Sequence, residues 1–444
     1  MFYLSDRAHP APATGARLGH WRHAAALTIL ICGTAAVPAA AQVPLSLAEA
    51  RRLAVERSRQ LVAQDLAVTA ARDMAIGARQ LPDPVLSVGI DNVPVSGPDR
   101  WRLGGDFMTM QRVGIAQELT RSDKRQLRAE RFEQEAQRAL SEKNASTATI
   151  ERETAIAWLE RYYAEAIDTV IRDQLAEARH AVDAAQAAYR GGRGSQADVF
   201  AARAEVAGIE DRRSEYGRRI RNATTMLTRW VGTTAAARLG ARPDIDQLDF
   251  DPAHLDEQLG RHPDIATLEK QEEIAQSDVR LAEANKRPDW SVEVGYQRRG
   301  NAYPDMISFG LSIPLQWDQK RRQDREVAAR VSLAGQAGAQ REEALRQHVA
   351  QTRTLLDEWT NDRERLARYA GELVPLAQQR TTATLTAYRG GKASLVEVLA
   401  ARRGELDVRI QALQLEADTA RAWAQLNFLI PQSGARHLTG KERE

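Results

Sequence analysis

Four segments of this chain alternate apolar and polar residues with period two, and most of the remaining length follows helical periodicity. In the first pair, Leu86, Val88 and Ile90 share one face, as do Val113, Ile115 and Leu119. In the second pair, Trp290, Val292, Val294 and Tyr296 alternate with Ser291, Glu293, Gly295 and Gln297. Ile307, Phe309, Leu311, Ile313, Leu315 and Trp317 alternate with Ser308, Gly310, Ser312, Pro314 and Gln316. The pattern predicts two hairpins with loops at Pro94 to Asp106 and Arg298 to Asp305, both rich in turn residues. Pro314 has no N–H for a ladder, so a bulge or a gap in pairing is expected there. Strands of about 8–11 residues suit a tilted membrane strand, with Trp290 and Trp317 as interfacial aromatics at strand ends. A soluble sheet with one wet face shows the same alternation, and the strands alone do not choose.

Helix accounts for the rest. Arg121 to Arg190 contains neither Gly nor Pro, and one helix of that length would run about 100 Å. Ile171, Leu175, Ala178, Val182, Ala185 and Tyr189 step by four or three, as in a coiled-coil seam. A matching stretch, Gln323 to Tyr388, is interrupted by Pro375. Shorter helices, Ser46 to Gln80 and Ser195 to Val231, flank the first long one.

The layout occurs twice. Ala188-Tyr189-Arg190-Gly191-Gly192 with Ser195, Val199 and Ala201-Ala202-Arg203 returns as Ala387-Tyr388-Arg389-Gly390-Gly391 with Ser394, Val398 and Ala400-Ala401-Arg402. The offset is 199 residues and 10 of 16 positions agree. Pro82-Asp83 with Val88-Gly89 echoes in Pro288-Asp289 with Val294-Gly295. Gly114, Leu119 and Lys124-Arg125 echo in Gly310, Leu315 and Lys320-Arg321. Three echoes in one order mean a duplicated unit of roughly 200 residues. Each unit reads as short helix, β-hairpin, long helix, tight turn, short helix. The glycines end one helix, and Ser195 or Ser394 caps the next. The expected organisation is a signal peptide at 1–41, a first repeat at 42–232, a connector at 233–263, a second repeat at 264–431 and a tail at 432–444.

Composition narrows the picture. Arg17, Arg22 and His23 precede the apolar run Ala24 to Cys32, and small residues follow to Ala41, as in a cleaved secretory signal. Ile31 stands where lipidation of Cys32 would need a small residue. Cleavage at Ala41 leaves no cysteine and 59 basic against 59 acidic residues, which argues against disulfides, thiolate sites and a nucleic-acid partner. No later apolar run approaches the ~20 residues of a membrane helix, so a membrane role falls to the strands. Four strands per chain leave open edges, which lipid does not tolerate, so several chains must close the barrel. Two or three chains satisfy symmetry, and a pore favours three.

No catalytic constellation is present. Of the histidines after the signal, none has a partner at metal-ligand spacing; His254 and His262 lie eight apart in the connector. Met108, Met110 and Met306 read as adaptable residues at a barrel rim rather than soft-metal ligands. Neither cofactor nor resident metal is expected. The Gly-Gly tips form the candidate site, because Asp198 and Glu397 follow them at equivalent positions.

With this layout the chain resembles the TolC-type outer-membrane factors across essentially 42–431. Leu81-Pro82-Asp83-Pro84, Asn92, Gln117 and Lys124-Arg125 resemble the heavy-metal (CzcC- and CusC-like) branch of that family. The resemblance implies a mostly α, α+β fold: long coiled-coil helices forming a trimeric α-barrel tunnel, and a 12-stranded transmembrane β-barrel with four strands per protomer. It implies an efflux exit duct in the outer membrane extending into the periplasm, exporting heavy-metal cations. The implied partners are a periplasmic adaptor protein and an inner-membrane pump of the resistance-nodulation-division class. Drug efflux, type I protein secretion and a soluble periplasmic coiled-coil scaffold are the rival readings. By resemblance, Tyr388 matches a gate tyrosine, Asp198 its acidic partner, and Glu397 one acid of an aperture ring. Ala400 and Ala393 replace the second ring acid and a gate arginine, for which Arg389 or Lys392 would substitute. Gly191, Gly192, Ser195, Gly390, Gly391 and Ser394 would be the adaptor-docking tips.

Overall fold

A computed structural model describes residues 44–252, 255–301 and 303–429. The expected signal peptide, Cys32, the cut at Ala41 and the tail at 432–444 lie outside the described residues.

Helix α1 (Leu47–Arg57) and helix α2 (Arg59–Ala78) replace the single helix expected from Ser46 to Gln80. Ser58 separates them: its backbone turns extended and its hydroxyl accepts from Leu61 N–H at 3.3 Å, capping α2. Strands β1 (Val85–Asp91) and β2 (Met110–Leu119) follow, then α3 (Ser122–Arg190) and α4 (Gln196–Val231). Helix α5 (Leu255–Gly260) lies in the connector, and α6 (Pro263–Asn285), β3 (Trp290–Arg298), β4 (Met306–Ser312), α7 (Gln323–Arg368), α8 (Val374–Arg389) and α9 (Leu395–Asn427) follow. None of the described helices is long and apolar enough to cross a membrane.

The strands form one antiparallel sheet in the order β1-β2-β3-β4. The two hairpins are joined by β2–β3 pairing, which periodicity alone does not reveal. Strand β4 stops at Ser312, short of Ile313 to Trp317, because Pro314 lacks the N–H to continue the ladder. Register aligns Leu86, Ile115, Val294 and Phe309 in one row and Val88, Val113, Tyr296 and Ile307 in the next. This face is bare, with Phe309 81% exposed.

Hydrogen bonds and an ion pair fasten sheet to helix. Lys124, buried at the start of α3, donates to Asp289 Oδ2 at 2.9 Å and to Arg287 O at 2.5 Å. Asp289 also accepts from Arg121 N–H at 3.0 Å, and Gln117 Nε2 donates to Pro82 O at 2.8 Å. A buried ammonium is tolerated only with such partners.

Helix α3 packs against α2, α4, α6 and α9. Ile171, Leu175, Ala178 and Ala185 of the expected seam are buried, whereas Tyr189 is exposed. The largest core cluster lies where the connector crosses the coil. Trp158, Trp359 and Trp423 each bury an indole there and donate to a backbone carbonyl, of Leu45 (2.9 Å), Ile245 (3.1 Å) and Gln247 (2.8 Å). Leu45 forms a parallel bridge with Leu239. The connector is thereby built into the core.

Between α7 and α8 the chain makes a π-turn, Tyr369–Leu373, in which Val374 N–H reaches Tyr369 O. Pro375 has no N–H for Gly371 O, and its ring would crowd that carbonyl, so an extra residue is accommodated just before it.

Candidate functional site: the helical hairpin tips

Each tip is a helix end and a helix start within six residues. At the first, Gly191 keeps φ −82° and Gly192 turns to φ +68°. Gly192 N–H bonds Tyr189 O (3.1 Å) and Arg193 N–H bonds Ala188 O (2.9 Å), the two bonds of a Schellman stop. The second tip repeats this with Gly391 at φ +72°, Gly391 N–H to Tyr388 O (3.0 Å) and Lys392 N–H to Ala387 O (2.8 Å). The shared Ala-Tyr-Arg-Gly-Gly sequence produces the same turn at both tips.

The acids that follow close capping boxes. Ser195 Oγ accepts from Asp198 N–H (3.1 Å), and the Asp198 carboxylate accepts from Ser195 N–H (2.9 Å) and Oγ–H (2.7 Å). Ser394 and Glu397 make the same set, at 3.3, 2.6 and 2.9 Å. The Ser195 backbone and hydroxyl bonds hold the Asp198 carboxyl below the usual carboxylate range, and those of Ser394 do so for Glu397. Both acids are ionised at neutral pH. Their equivalent placement thus has a local structural cause that the sequence reading did not assign to it.

Tyr388 packs beside the cluster of Ala185, Val199, Ala202, Leu395 and Leu399. Among the described residues no hydrogen bond joins Tyr388 to Asp198 within one protomer. Arg389, Lys392 and Glu397 are exposed around the second tip. Exposed Phe200 and Val396 add apolar surface at the tips, and neither was singled out by motif. Phe200 is exposed, while its repeat counterpart Leu399 is buried, so the two tips differ in what they present.

Behind the tips, ion pairs tie the hairpins together. Arg403 reaches the buried carboxylate of Glu205, with Nε 3.0 Å from Oε2, and Arg212 Nη1 lies 2.5 Å from Asp407. Arg402 Nη2 lies 3.3 Å from Glu177. These links between α9 and the α3–α4 hairpin escape a motif search, because their partners are about two hundred residues apart in sequence.

No group of three or more His, Cys, Asp or Glu able to hold a metal occurs among the described residues. His254 lies outside them. His262 instead meets His348 of α7, with ring centroids 4.1 Å apart.

The family model for outer membrane efflux proteins matches residues 254–431, the second repeat and the end of the connector. That part of the chain is similar to outer membrane efflux proteins. The fold of the chain is that of solved membrane channels: the outer-membrane channel OprN (TM-score 0.73, 17% identity, 87% of this chain and 89% of that one) and CusC (0.74, 15%, 86% and 91%). VceC from Vibrio cholerae superposes at 0.69 with 19% identity over 86% and 95%. Among curated proteins, the cobalt-zinc-cadmium resistance protein CzcC of Cupriavidus metallidurans is 26% identical over 254 residues. That match covers 55% of this chain and 60% of the relative's length.

Proposed function

We propose that this chain works as the trimeric outer-membrane exit duct of a tripartite system that exports heavy-metal cations. The observation that carries the reading is a four-stranded sheet with a bare apolar face and two open edges, β1 and β4. Unpaired backbone groups have no partner in lipid, so three copies joined β4 to β1 would close twelve strands. Helices of about 100 Å would continue the duct through the periplasm. The tips at the far end would meet a periplasmic adaptor through Gly191, Gly192, Ser195, Gly390, Gly391 and Ser394. An inner-membrane pump would supply the energy, because nothing in the site performs chemistry. Asp198, Tyr388, Arg389, Lys392 and Glu397 would form the gate, with Tyr388 of one hairpin meeting Asp198 of another across the assembled mouth. The metal is cargo, and the name of the cobalt-zinc-cadmium resistance relative supports that choice over drugs or proteins.

The experiment is a tolerance assay in a strain lacking its own duct but expressing the cognate pump and adaptor. Restoring this chain should raise tolerance to cobalt, zinc or cadmium and leave tolerance to organic drugs unchanged. Restored drug tolerance without metal tolerance would reject the metal reading.

A further inference from the structure

The polar face of the sheet carries a charge cluster that the tips and the coil do not explain. On β2, Arg112 Nε lies 3.3 Å from Asp91 Oδ2 of β1, and its Nη1 lies 3.6 Å from Glu293 Oε1 of β3. Register explains the meeting. One row across the sheet is Gly89, Arg112, Gln297 and Met306, and another is Val85, Ala116, Glu293 and Gly310. Between them runs a row of Ser87, Gly114, Gly295 and Ser308. Glycine weakens a strand, so two in one row need a reason.

The side chains above supply it. A Cβ on Gly114 would sit 2.9 Å from Ser87 Oγ and 3.3 Å from Glu293 Oε1. One on Gly295 would sit 2.9 Å from Ser308 Oγ and 3.2 Å from Gln297 Nε2. The glycines form a floor onto which long side chains of both flanking rows fold. Gln297 is 6% exposed and donates to Ser308 Oγ at 2.6 Å, while its Oε1 is buried without a donor.

We infer that Asp91, Arg112, Glu293 and Gln297 form a cation-selecting ring at mid-height of the barrel lumen. The inference rests on the duct reading above, in which this face lines water. Two carboxylates against one guanidinium leave one negative charge per protomer, and three around the lumen. Walls of low dielectric focus such a field, concentrating cations and rejecting anions. Arg112 holds both acids in place and limits the depth of the well, so that a cation enters without being trapped. The ring stands a full helix length from Glu397 and acts independently of the tips.

The test is the reversal potential of purified trimers in planar bilayers under a potassium chloride gradient. Wild-type channels should prefer potassium over chloride. Glu293→Gln and Asp91→Asn should each lower the permeability ratio by about twofold or more, and Arg112→Gln should raise it by a similar factor. Glu293→Asp, which keeps the charge, should stay close to wild type and separates charge from folding. Conducting trimers whose ratio is unchanged in all three charge variants would overturn the ring alone. Wild-type trimers that pass no current would overturn the duct reading and the ring with it.

Discussion

At the scale of single residues, the paired glycines of each tip do different jobs. Gly192 and Gly391 hold φ of +68° and +72°, which an L side chain adopts only at a cost of about 1–2 kcal/mol. Gly191 and Gly390 sit at φ −82° and −83°, and a Cβ there meets nothing closer than 3.4 and 3.6 Å. Gly192→Ala should therefore lower the melting temperature modestly through backbone strain. Gly191→Leu together with Gly390→Leu should leave melting unchanged and abolish efflux if an adaptor docks on the tips; full efflux in that double variant would remove docking from the proposal. His262 raises a pH question. Its Nδ1 accepts from Asp264 N–H at 3.2 Å, capping α6. Burial, then His348, then Arg152 push its pKa down to about 4, against the opposing pull of Asp264. His348 is lowered as well, chiefly by burial. An unfolded chain would take up the proton near pH 6.5, so the contribution of His262 is complete above that pH and is lost as pH falls toward 4. The span is on the order of 3 kcal/mol. His262→Asn keeps a capping oxygen and cannot be protonated. Its melting temperature should fall less than that of wild type between pH 6.5 and 4.5, and parallel curves would reject the assignment.

At the scale of elements, the long helices divide by composition. Helix α3 is continuous over 69 residues because neither Gly nor Pro interrupts it. Its repeat counterpart breaks into α7 and α8 at the π-turn before Pro375. A turn with one residue too many is a low-cost place to bend, and it lies about four turns from the second tip. The duct reading makes it the hinge of the inner hairpin. Pro375→Ala should restore regular helix, slow hydrogen exchange across Tyr369 to Val374 and lower the open probability. Unchanged opening would place the hinge elsewhere. The closed state itself has two candidate locks. Tyr388→Phe with Asp198→Ala should raise single-channel conductance if those residues meet between hairpins of the assembled mouth, where a charge-assisted bond contributes about 1.5–3 kcal/mol. If conductance rises only in Arg403→Ala, the lock is the Arg403–Glu205 link between α9 and α4.

At the scale of the whole molecule, one protomer is an unfinished object. Its sheet exposes Phe309, Ile307, Leu311 and Val88, and its outer strands keep unpaired edges. Large exposed apolar faces and free edges are liabilities in water and intolerable in lipid. The mature protein should therefore purify from membranes only in detergent, as a species with three times the protomer mass. A detergent-free soluble monomer would favour the scaffold reading and reject the barrel.

The sequence by itself determined whatever depends on near neighbours. Period-two alternation marked all four strands, an unbroken run without Gly or Pro marked α3, and the duplicated Gly-Gly motif marked both tips. These are local because backbone preference and side-chain face are set within a turn or a strand. The capping boxes were also legible, as Ser-x-x-Asp and Ser-x-x-Glu, although the equivalent acids invited a functional reading first. Tertiary structure decided the rest. Pairing of β2 with β3 brought Arg112 to Glu293, and helix packing set His262 against His348 and Arg403 against Glu205. Two indoles found carbonyl partners on the connector, which looks like linker, and a third on Leu45 just before α1. Such contacts join residues far apart in sequence, where no periodicity links them. They depend on the path of the chain.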